Sequence, residues 1–384
     1  MRSPEIESYV DAFPLGEIMQ TSGIGEVVKS NNSKYKINDL YSGFTGWEEY
    51  SVISANDANQ NAGFIEILNS SRVSGSPPIS YFLGVLGMPG MTAYTGLFKI
   101  GQPKKGETIF VSTAAGAVGQ VVCQISKILG LRVIGSAGDD SKIDFLLNEL
   151  KIDGAFNYKK SDTKKKLEEL CPNGIDIYFD NVGGETLDIT LPQLNKNGRV
   201  VVCGMMSQYN VEEQYGLKNG IYILTKSLLV QGFIVVDYYK EFYANFIKDM
   251  NQWLGSSLIK YQENIVVGIE NSPDAFLGML NGKNFVDHPD MSIRKMSRVV
   301  VCGMMSQYNV EEQYGLKNGI YILTKSLLVQ GFIVVDYYKE FYANFIKDMN
   351  QWLGSSLIKY QENIVVGIEN SPDAFLGMLN GKNF

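Results

Sequence analysis

This chain of 384 residues holds a single histidine, His288, and only four cysteines, Cys123, Cys171, Cys203 and Cys302. No two cysteines are spaced as Cys-x-x-Cys. A structural zinc site needs three or four converging Cys, His or carboxylate ligands, so the composition argues against one. The same scarcity disfavours disulfides and points to a reducing, cytoplasmic compartment. No Ser–His–Asp or Cys–His arrangement is on offer, because the one histidine sits in the polar stretch Val286-Asp287-His288-Pro289. No apolar run reaches membrane-spanning length, and Met1-Arg2-Ser3-Pro4-Glu5 lacks the character of a signal peptide. Positive charge is also short: 34 Lys and Arg against 41 Asp and Glu leave a net charge of −7, which disfavours a nucleic-acid backbone or an anionic membrane as partner. The cluster Lys164-Lys165-Lys166 reads as the solvated face of a helix. What is left is a globular composition, 45% hydrophobic and 20% charged, long enough for two or three domains.

One stretch organises the rest. Ile109 to Ser112 is a short apolar, β-branched run of the kind that forms a buried parallel strand. It leads into the small-residue turn Ala114-Ala115-Gly116-Ala117-Val118-Gly119. Gln120 to Gly130 follows, with Val121, Val122, Ile125, Ile128 and Leu129 at helical spacing. Strand, glycine turn and helix N-terminus in that order make an anion site. Unused backbone N–H groups and the positive end of the helix dipole face a diphosphate, and small side chains allow close approach. A plain structural turn is the competing reading.

From Glu107 onward the pattern alternates. Strands are expected at 107–113, 131–136, 154–158, 175–180, 199–203 and 228–236, with helices at about 117–130, 140–150, 161–170 and 185–194. Such alternation predicts a parallel sheet with helices on both faces, and six strands suit a doubly wound nucleotide fold. A long helix is expected at about 238–254, and a last one from Ser272-Pro273-Asp274 to Gly282. The first ninety residues read as β-rich, with strands at Gly23–Val28 and Trp47–Ile53 around a polar turn at Tyr35–Asp39. Met91 to Ile100 has helical spacing and stops at Gly101-Gln102-Pro103.

Residues 298–384 repeat residues 199–285 without a substitution, at an offset of 99. Solenoid repeats diverge and run 20–50 residues; an exact copy of this length, starting inside a strand, points to a recent partial duplication or an error of sequence assembly. The copy holds the fifth and sixth strands but no phosphate turn, so it cannot bind a dinucleotide by itself.

The motifs Gly87-Met-Pro-Gly-Met-Thr-Ala-Tyr94, Ala114–Gly119, Phe156-Asn-Tyr-Lys159, Asp180-Asn-Val-Gly-Gly184 and Cys203-Gly-Met-Met-Ser-Gln-Tyr-Asn210 together resemble one family. It comprises the zinc-independent medium-chain dehydrogenases/reductases, in the group of prostaglandin reductase, leukotriene B4 12-hydroxydehydrogenase and 2-alkenal reductase. The likeness runs from about Pro4 to Phe285. It implies an α/β fold in which a Rossmann doubly wound parallel sheet accompanies a GroES-like β domain, truncated here. It divides the chain into a catalytic domain at 1–90, an NADP-binding domain at 91–244 and a return segment at 245–285. A junction at 286–297 and the duplicate at 298–384 complete the division.

The activity implied is NADPH-dependent reduction of the carbon–carbon double bond of α,β-unsaturated aldehydes and ketones, with a small-molecule substrate and a homodimeric assembly joined through the edge of the sixth strand. The tip of the second strand, Gly135-Ser136-Ala137-Gly138, has no acid to accept from a ribose 2′-OH, which favours NADP over NAD. The resemblance carries cofactor contacts onto Gly116, Ala117, Val118, Gly119, Lys142, Tyr158, Asn181, Cys203, Ser207, Tyr209, the Phe233-Ile234-Val235 segment and Asn284. Lys142 is expected to reach the 2′-phosphate if Asp139 and Asp140 point away; a solvated helix-face lysine is its bland alternative. For Tyr158 and Phe233 the alternative is a core aromatic, and for Asn181–Gly184 a plain loop. Tyr209 is the expected catalytic donor to the developing enolate.

Family members carry several dozen residues ahead of the Met1 position, with a pocket tyrosine among them, and a closing strand after the Asn284 position. A quinone reductase of the same superfamily and a catalytically dead NADPH-binding protein therefore stay open as alternatives. The duplicate brings two further apolar strands that need partners. It either caps the sixth-strand edge internally or swaps into the first copy's place.

Overall fold

The computed structural model describes residues 16–53, 66–67, 77–209, 211–280, 282, 298–301, 319–355 and 357. It divides into two compact units, Met1–Phe332 and Ile333–Phe384. The second unit is described by one helix, Val334–Gly354.

The first unit begins with a small antiparallel sheet, β1 (Gln20–Glu26), β2 (Leu40–Gly46) and β3 (Glu66–Ile67). The expected first strand is there, shifted by three residues. The expected strand at Trp47–Ile53 is not: the chain there is bends and coil, and the second strand lies just before it. Its sequence, Leu-Tyr-Ser-Gly-Phe-Thr-Gly, hides a strand behind small residues. Those residues allow close pairing, since a Cβ on Gly23 would sit 2.2 Å from the Thr45 hydroxyl.

The larger sheet runs β10-β11-β9-β8-β7-β4-β5-β6. Its strands are β4 (Thr108–Val111), β5 (Arg132–Ala137), β6 (Gly154–Asn157), β7 (Ile175–Asp180), β8 (Leu194–Val202), β9 (Leu229–Gly232), β10 (Arg298–Val301) and β11 (Leu328–Gly331). From β6 to β9 every pairing is parallel. Read from β9 to β6, this is the doubly wound order, with the direction of winding reversing between β4 and β7. All six expected strands are present.

The strands are apolar on both faces because both faces are covered. Ile109, Val111, Ile177, Phe179 and Val201 pack into one core layer, while Phe110, Tyr178, Val200 and Val202 pack into the other. This is the two-residue alternation of a strand. On the first side lie α1 (Met88–Thr95) and α2 (Ala117–Ile128). They are joined further on by the long helix Tyr239–Gly255, whose Phe246 and Met250 are fully buried.

The return segment after that helix is strapped to the back of α2 by two buried glutamines. Gln124 accepts the Lys260 N–H (2.7 Å) and donates to the Lys260 carbonyl (2.7 Å); Gln120 does the same for Gln262, at 3.1 and 3.2 Å. Two helical side chains one turn apart thus imitate a strand edge, which explains why amides sit on a buried helix face.

Candidate functional site: a nucleotide cleft at the sheet switch point

The cleft opens at the carboxyl ends of β4, β5 and β7 and has a volume of about 480 Å³. Its floor is the turn from β4 into α2. Thr113 takes a left-handed φ of 50°, and Gly116 caps the helix in an extended conformation. The Gln120 N–H is the first to find a helical carbonyl, that of Gly116. Those of Ala117, Val118 and Gly119 have no carbonyl one turn back within the helix, and they point toward the cleft end. Gly119 is required for packing: a Cβ there would lie 2.3 Å from the Thr113 carbonyl and 2.8 Å from the Ala114 Cα. Helix and turn therefore sit closer than any side chain permits.

The tips of β4 and β7 are laced together where the winding reverses. The Asn181 N–H donates to Ser112 Oγ at 3.0 Å and its side-chain amide to the Ser112 carbonyl at 2.7 Å. Behind them Asp180 is fully buried, its Oδ1 accepting from the Tyr178 hydroxyl (2.7 Å), the Val182 N–H (2.9 Å) and the Gly183 N–H (2.8 Å). Burial pushes this carboxyl up to about 6, against the downward pull of the donors gathered on it. Gly183 and Gly184 both have positive φ (66° and 54°), which lets the chain wrap around the carboxylate and start the helix Gly184–Thr190. The loop after β8 rests on this turn: the Cys203 and Gly204 N–H groups donate to the Asp180 carbonyl, and Ser207 Oγ donates to the Val182 carbonyl at 2.7 Å. Burial raises the Cys203 thiol well above the usual range, so it stays protonated.

The expected residues divide into three groups. Gly116, Lys142, Tyr158 and Ser207 line the cleft, with Ala117, Val118 and Gly119 following Gly116 into the helix. Asn181 and Cys203 stand just behind it and hold its wall. Phe233, Ile234 and Val235 are buried, at 3%, 7% and 6% exposure, and are not among the residues that line this cleft. Phe233 packs so close to Gly96 that a Cβ there would meet its ring at 2.9 Å. Asn284 lies outside the described residues, as do His288 and Cys302.

Tyr158 is not a core aromatic: it is 47% exposed at the cleft rim, its hydroxyl 3.0 Å from where a Gly138 Cβ would stand. Nor is Lys142 a solvated lysine, since it is 9% exposed and its Nζ donates to the Gly282 carbonyl at 2.9 Å. The acids beside it are turned elsewhere. Asp139 caps its own helix through the Ser141 N–H and hydroxyl, and Asp140 is held by Lys160 and by the Asn157 amide. Both carboxyls are pulled below their usual range, Asp139 by the Ser141 hydroxyl and Asp140 by the Lys160 ammonium. Lys159 adds a second cation to the lining. Lys142 and Lys159 thus bring two lysines to the cleft lining, and the two acids beside Lys142 are engaged elsewhere.

Tyr209 is half exposed, and its hydroxyl accepts the Met205 N–H at 3.1 Å. Sequence reasoning assigned no role to Ser112 or Asp180. The signal for Asp180 was present, an acid closing a buried strand two residues ahead of Gly-Gly; Ser112 carried none.

Among the described residues no group of His, Cys, Asp and Glu is arranged to hold a metal ion, and no helix is long and apolar enough to cross a membrane.

Comparison with known proteins agrees with this geometry. Residues 117–252 match the family model described as zinc-binding dehydrogenase, and residues 1–60 match that of the N-terminal domain of oxidoreductase. The NADP(+)-dependent 2-alkenal reductase of Nicotiana tabacum is 42% identical over 278 residues, covering 72% of this chain and 78% of the relative. The (+)-pulegone reductase of Mentha piperita is 42% identical over 276 residues, covering 71% and 78%. The crystal structure of CurA from Vibrio vulnificus in complex with NADPH superposes with a TM-score of 0.66 at 35% identity, over 85% of this chain and 84% of that one. The chain belongs to the zinc-independent medium-chain dehydrogenase/reductase family.

Proposed function

We propose that the chain uses NADPH to reduce the carbon–carbon double bond of α,β-unsaturated aldehydes and ketones. The observation that carries the reading is the second-strand tip. Ser136, Ala137 and Gly138 offer no carboxylate to a ribose, while Lys142 and Lys159 line the same cleft and the two acids beside Lys142 are occupied elsewhere, which supports a site for a 2′-phosphate. With that, the chain is an NADP-dependent oxidoreductase, like the relatives it matches.

The residues present fit the cofactor. The N-terminus of α2 and Gly116 would hold the diphosphate, Tyr158 would flank the adenosine end, and Asn181 would keep the β7 turn against Ser112. Bound NADPH supplies the hydride. Negative charge then builds on the carbonyl oxygen of the substrate, and this chain's part is to stabilise it there. Tyr209 is the candidate donor. The Met205 N–H on its oxygen polarises the phenol and strengthens the hydrogen bond it can give. A cytoplasmic location fits the free thiols of Cys123, Cys171 and Cys203.

The test is NADPH consumption by the purified chain with a simple α,β-unsaturated ketone against a blank without substrate. Turnover is expected, and its absence alongside intact NADPH binding would leave the catalytically dead reading. Quinone as substrate separates the other alternative. The Escherichia coli quinone oxidoreductase complexed with NADPH is only 23% identical with a TM-score of 0.52, and so shares the fold alone. Tyr209→Phe is expected to lower turnover about a hundredfold with little change in NADPH affinity. The same change in the repeat, Tyr308→Phe, should leave turnover intact, because the repeat has no phosphate turn.

A further inference from the structure

The loop that carries Tyr209 is held on both sides by one helix, Gly184–Thr190. Before Tyr209, the loop seats on the start of that helix. A Cβ on Gly184 would lie 2.4 Å from Gln208 Nε2 and 2.7 Å from Ser207 Oγ, so glycine is what lets the loop come so close. After Tyr209, the chain is tied to Asp188, which is 3% exposed. Its Oδ1 accepts the Asn219 N–H at 2.7 Å, its Oδ2 accepts the Tyr215 hydroxyl at 3.1 Å, and its main-chain carbonyl accepts the Asn219 side-chain amide at 3.0 Å. Burial, with Asp188 beside it, pushes the Tyr215 phenol up to about 12, so the phenol keeps its proton and donates. Gln208, itself buried, closes the circuit. Its Oε1 accepts the Tyr215 N–H at 2.7 Å, its Nε2 donates to Ser207 Oγ at 2.9 Å, and its carbonyl accepts the Gln214 side-chain amide at 3.0 Å. Burying a carboxylate and an amide is costly unless they are hydrogen-bonded, and here their side-chain bonds go to the loop around Tyr209.

We propose that Asp188 is a positioning residue for Tyr209: through Tyr215, Asn219 and Gln208 it fixes the loop on both sides of the phenol. The inference rests on the reading of Tyr209 as donor to the substrate oxygen. Glu185 and Thr186, in the first turn of the same helix, line the nucleotide cleft. One element therefore sets the place of the phenol relative to the cofactor site. A donor stabilises developing charge only if it stands in place before the charge appears, and displacement by about 1 Å can cost a factor on the order of 100 in rate. Residues 298–384 carry Gln307, Tyr314 and Asn318 as copies of Gln208, Tyr215 and Asn219, but that copy begins at Arg298, past the Asp188 position. The anchor is written once.

Tyr215→Phe in the full chain removes one hydroxyl from this circuit and keeps the ring. With an α,β-unsaturated ketone, kcat is expected to fall about tenfold while the Kd for NADPH and the thermal midpoint stay at the parent's values. Asp188→Ala should lose at least as much, and Asp188→Asn, which keeps an acceptor for the Asn219 N–H, should recover most of it. Tyr314→Phe, the same change in the repeat, should leave kcat unchanged. The decisive arm places Tyr215→Phe in a Tyr209→Phe background. If Asp188 works through the phenol, the second change costs nothing further; a loss that multiplies assigns the circuit a general structural role and overturns the proposal. If Tyr215→Phe lowers the thermal midpoint, Asp188→Asn against Asp188→Ala in that background carries the same comparison. Hydrogen exchange of residues 205–219 reads the loop without reference to turnover. It should speed up in Tyr215→Phe, and an unchanged rate would overturn the proposal even in a chain that reduces nothing. Faster exchange alongside an inactive parent would leave the anchor standing and strike the reductase reading alone.

Discussion

Residues 199–285 and 298–384 are one sequence in two settings, and the structure shows what each setting adds. Some features are common to both. Ile221–Thr225 and Ile320–Thr324 form the same short helix after a glycine at φ −56°. Ser227 and Ser326 both take a left-handed φ, 51° and 48°, before the strand. These features are written locally. The copies then part. After β9 the chain makes a tight 3-10 turn, Val235–Tyr238, and only then a helix of 17 residues; in the repeat the helix starts at Val334 and runs unbroken for 21. Val235 and Tyr238 are buried, whereas Val334, the copy of Val235, is 66% exposed. Burying those two side chains reshapes the backbone of the first copy, and where nothing buries Val334 the helical preference of the stretch extends by a turn.

The sharpest way to break this comparison is at Phe246 and its copy Phe345, which are 0% and 53% exposed. Removing a fully buried ring leaves a cavity against Tyr94 and Tyr243. Phe246→Ala should cost about 3–5 kcal/mol. Phe345→Ala should stay within about 0.5 kcal/mol, as surface substitutions do. Urea denaturation followed by circular dichroism measures both. Equal costs would mean that the repeat's helix is as deeply packed as the original.

The division between local and tertiary information also sets what the sequence disclosed. The β4 strand, the Gly116–Gly119 turn and the helix after it were legible because apolar period, small residues and helical spacing coincide within twenty residues. The acid-free tip at Ser136–Gly138 was legible as a chemical absence. The packing of Phe233 against Gly96 was not legible, because it joins residues far apart in sequence. The strand Leu40–Gly46 escaped because its identity lies in cross-strand closeness to Gly23, a property of the pair. Ser112 escaped for the same reason, since its meaning comes from Asn181, distant in sequence.

A second difference between the copies is what lies beyond them. β8 is backed by β7, whose Asp180 anchors the loop from Cys203 to Ser207. The repeat brings no copy of β7 with it. Asp180 titrates near 6 in the fold against an ordinary value of 3.8, so the native state binds the proton more tightly than the unfolded chain does. Its contribution to stability is fully present below about pH 4 and is lost as pH rises through 6, a change of up to about 3 kcal/mol. Asp180→Asn keeps an acceptor for the Tyr178, Val182 and Gly183 donors and cannot ionise. Thermal midpoints between pH 4 and 7 should therefore fall less steeply in the variant than in the parent. Parallel curves would show that the carboxylate stays charged and fully compensated across the range.

The smallest of these differences lies at the first residue of each copy. Arg199 grips Glu107 with both arms of its guanidinium, at 2.9 and 2.6 Å, and donates from Nε to the Gly101 carbonyl at 2.9 Å. Both side chains are largely shielded, at 16% and 17% exposure. Partial burial pushes the Glu107 carboxyl up, but the Arg199 hydrogen bonds outweigh it and hold it below the usual range. The pair thus adds stability at neutral pH that is lost as pH falls through the depressed value. Arg199→Ala leaves a shielded carboxylate and an unanswered carbonyl and should cost about 1.5–3 kcal/mol. The chain has one Glu107, already engaged, so Arg298→Ala should cost less than about 0.5 kcal/mol. Denaturation at pH 7 gives both values. Repeating the Arg199→Ala measurement at acid pH sharpens the result, because its cost must shrink once Glu107 is protonated. A cost that did not shrink would assign Arg199 a packing role at the end of β8 in place of an electrostatic one.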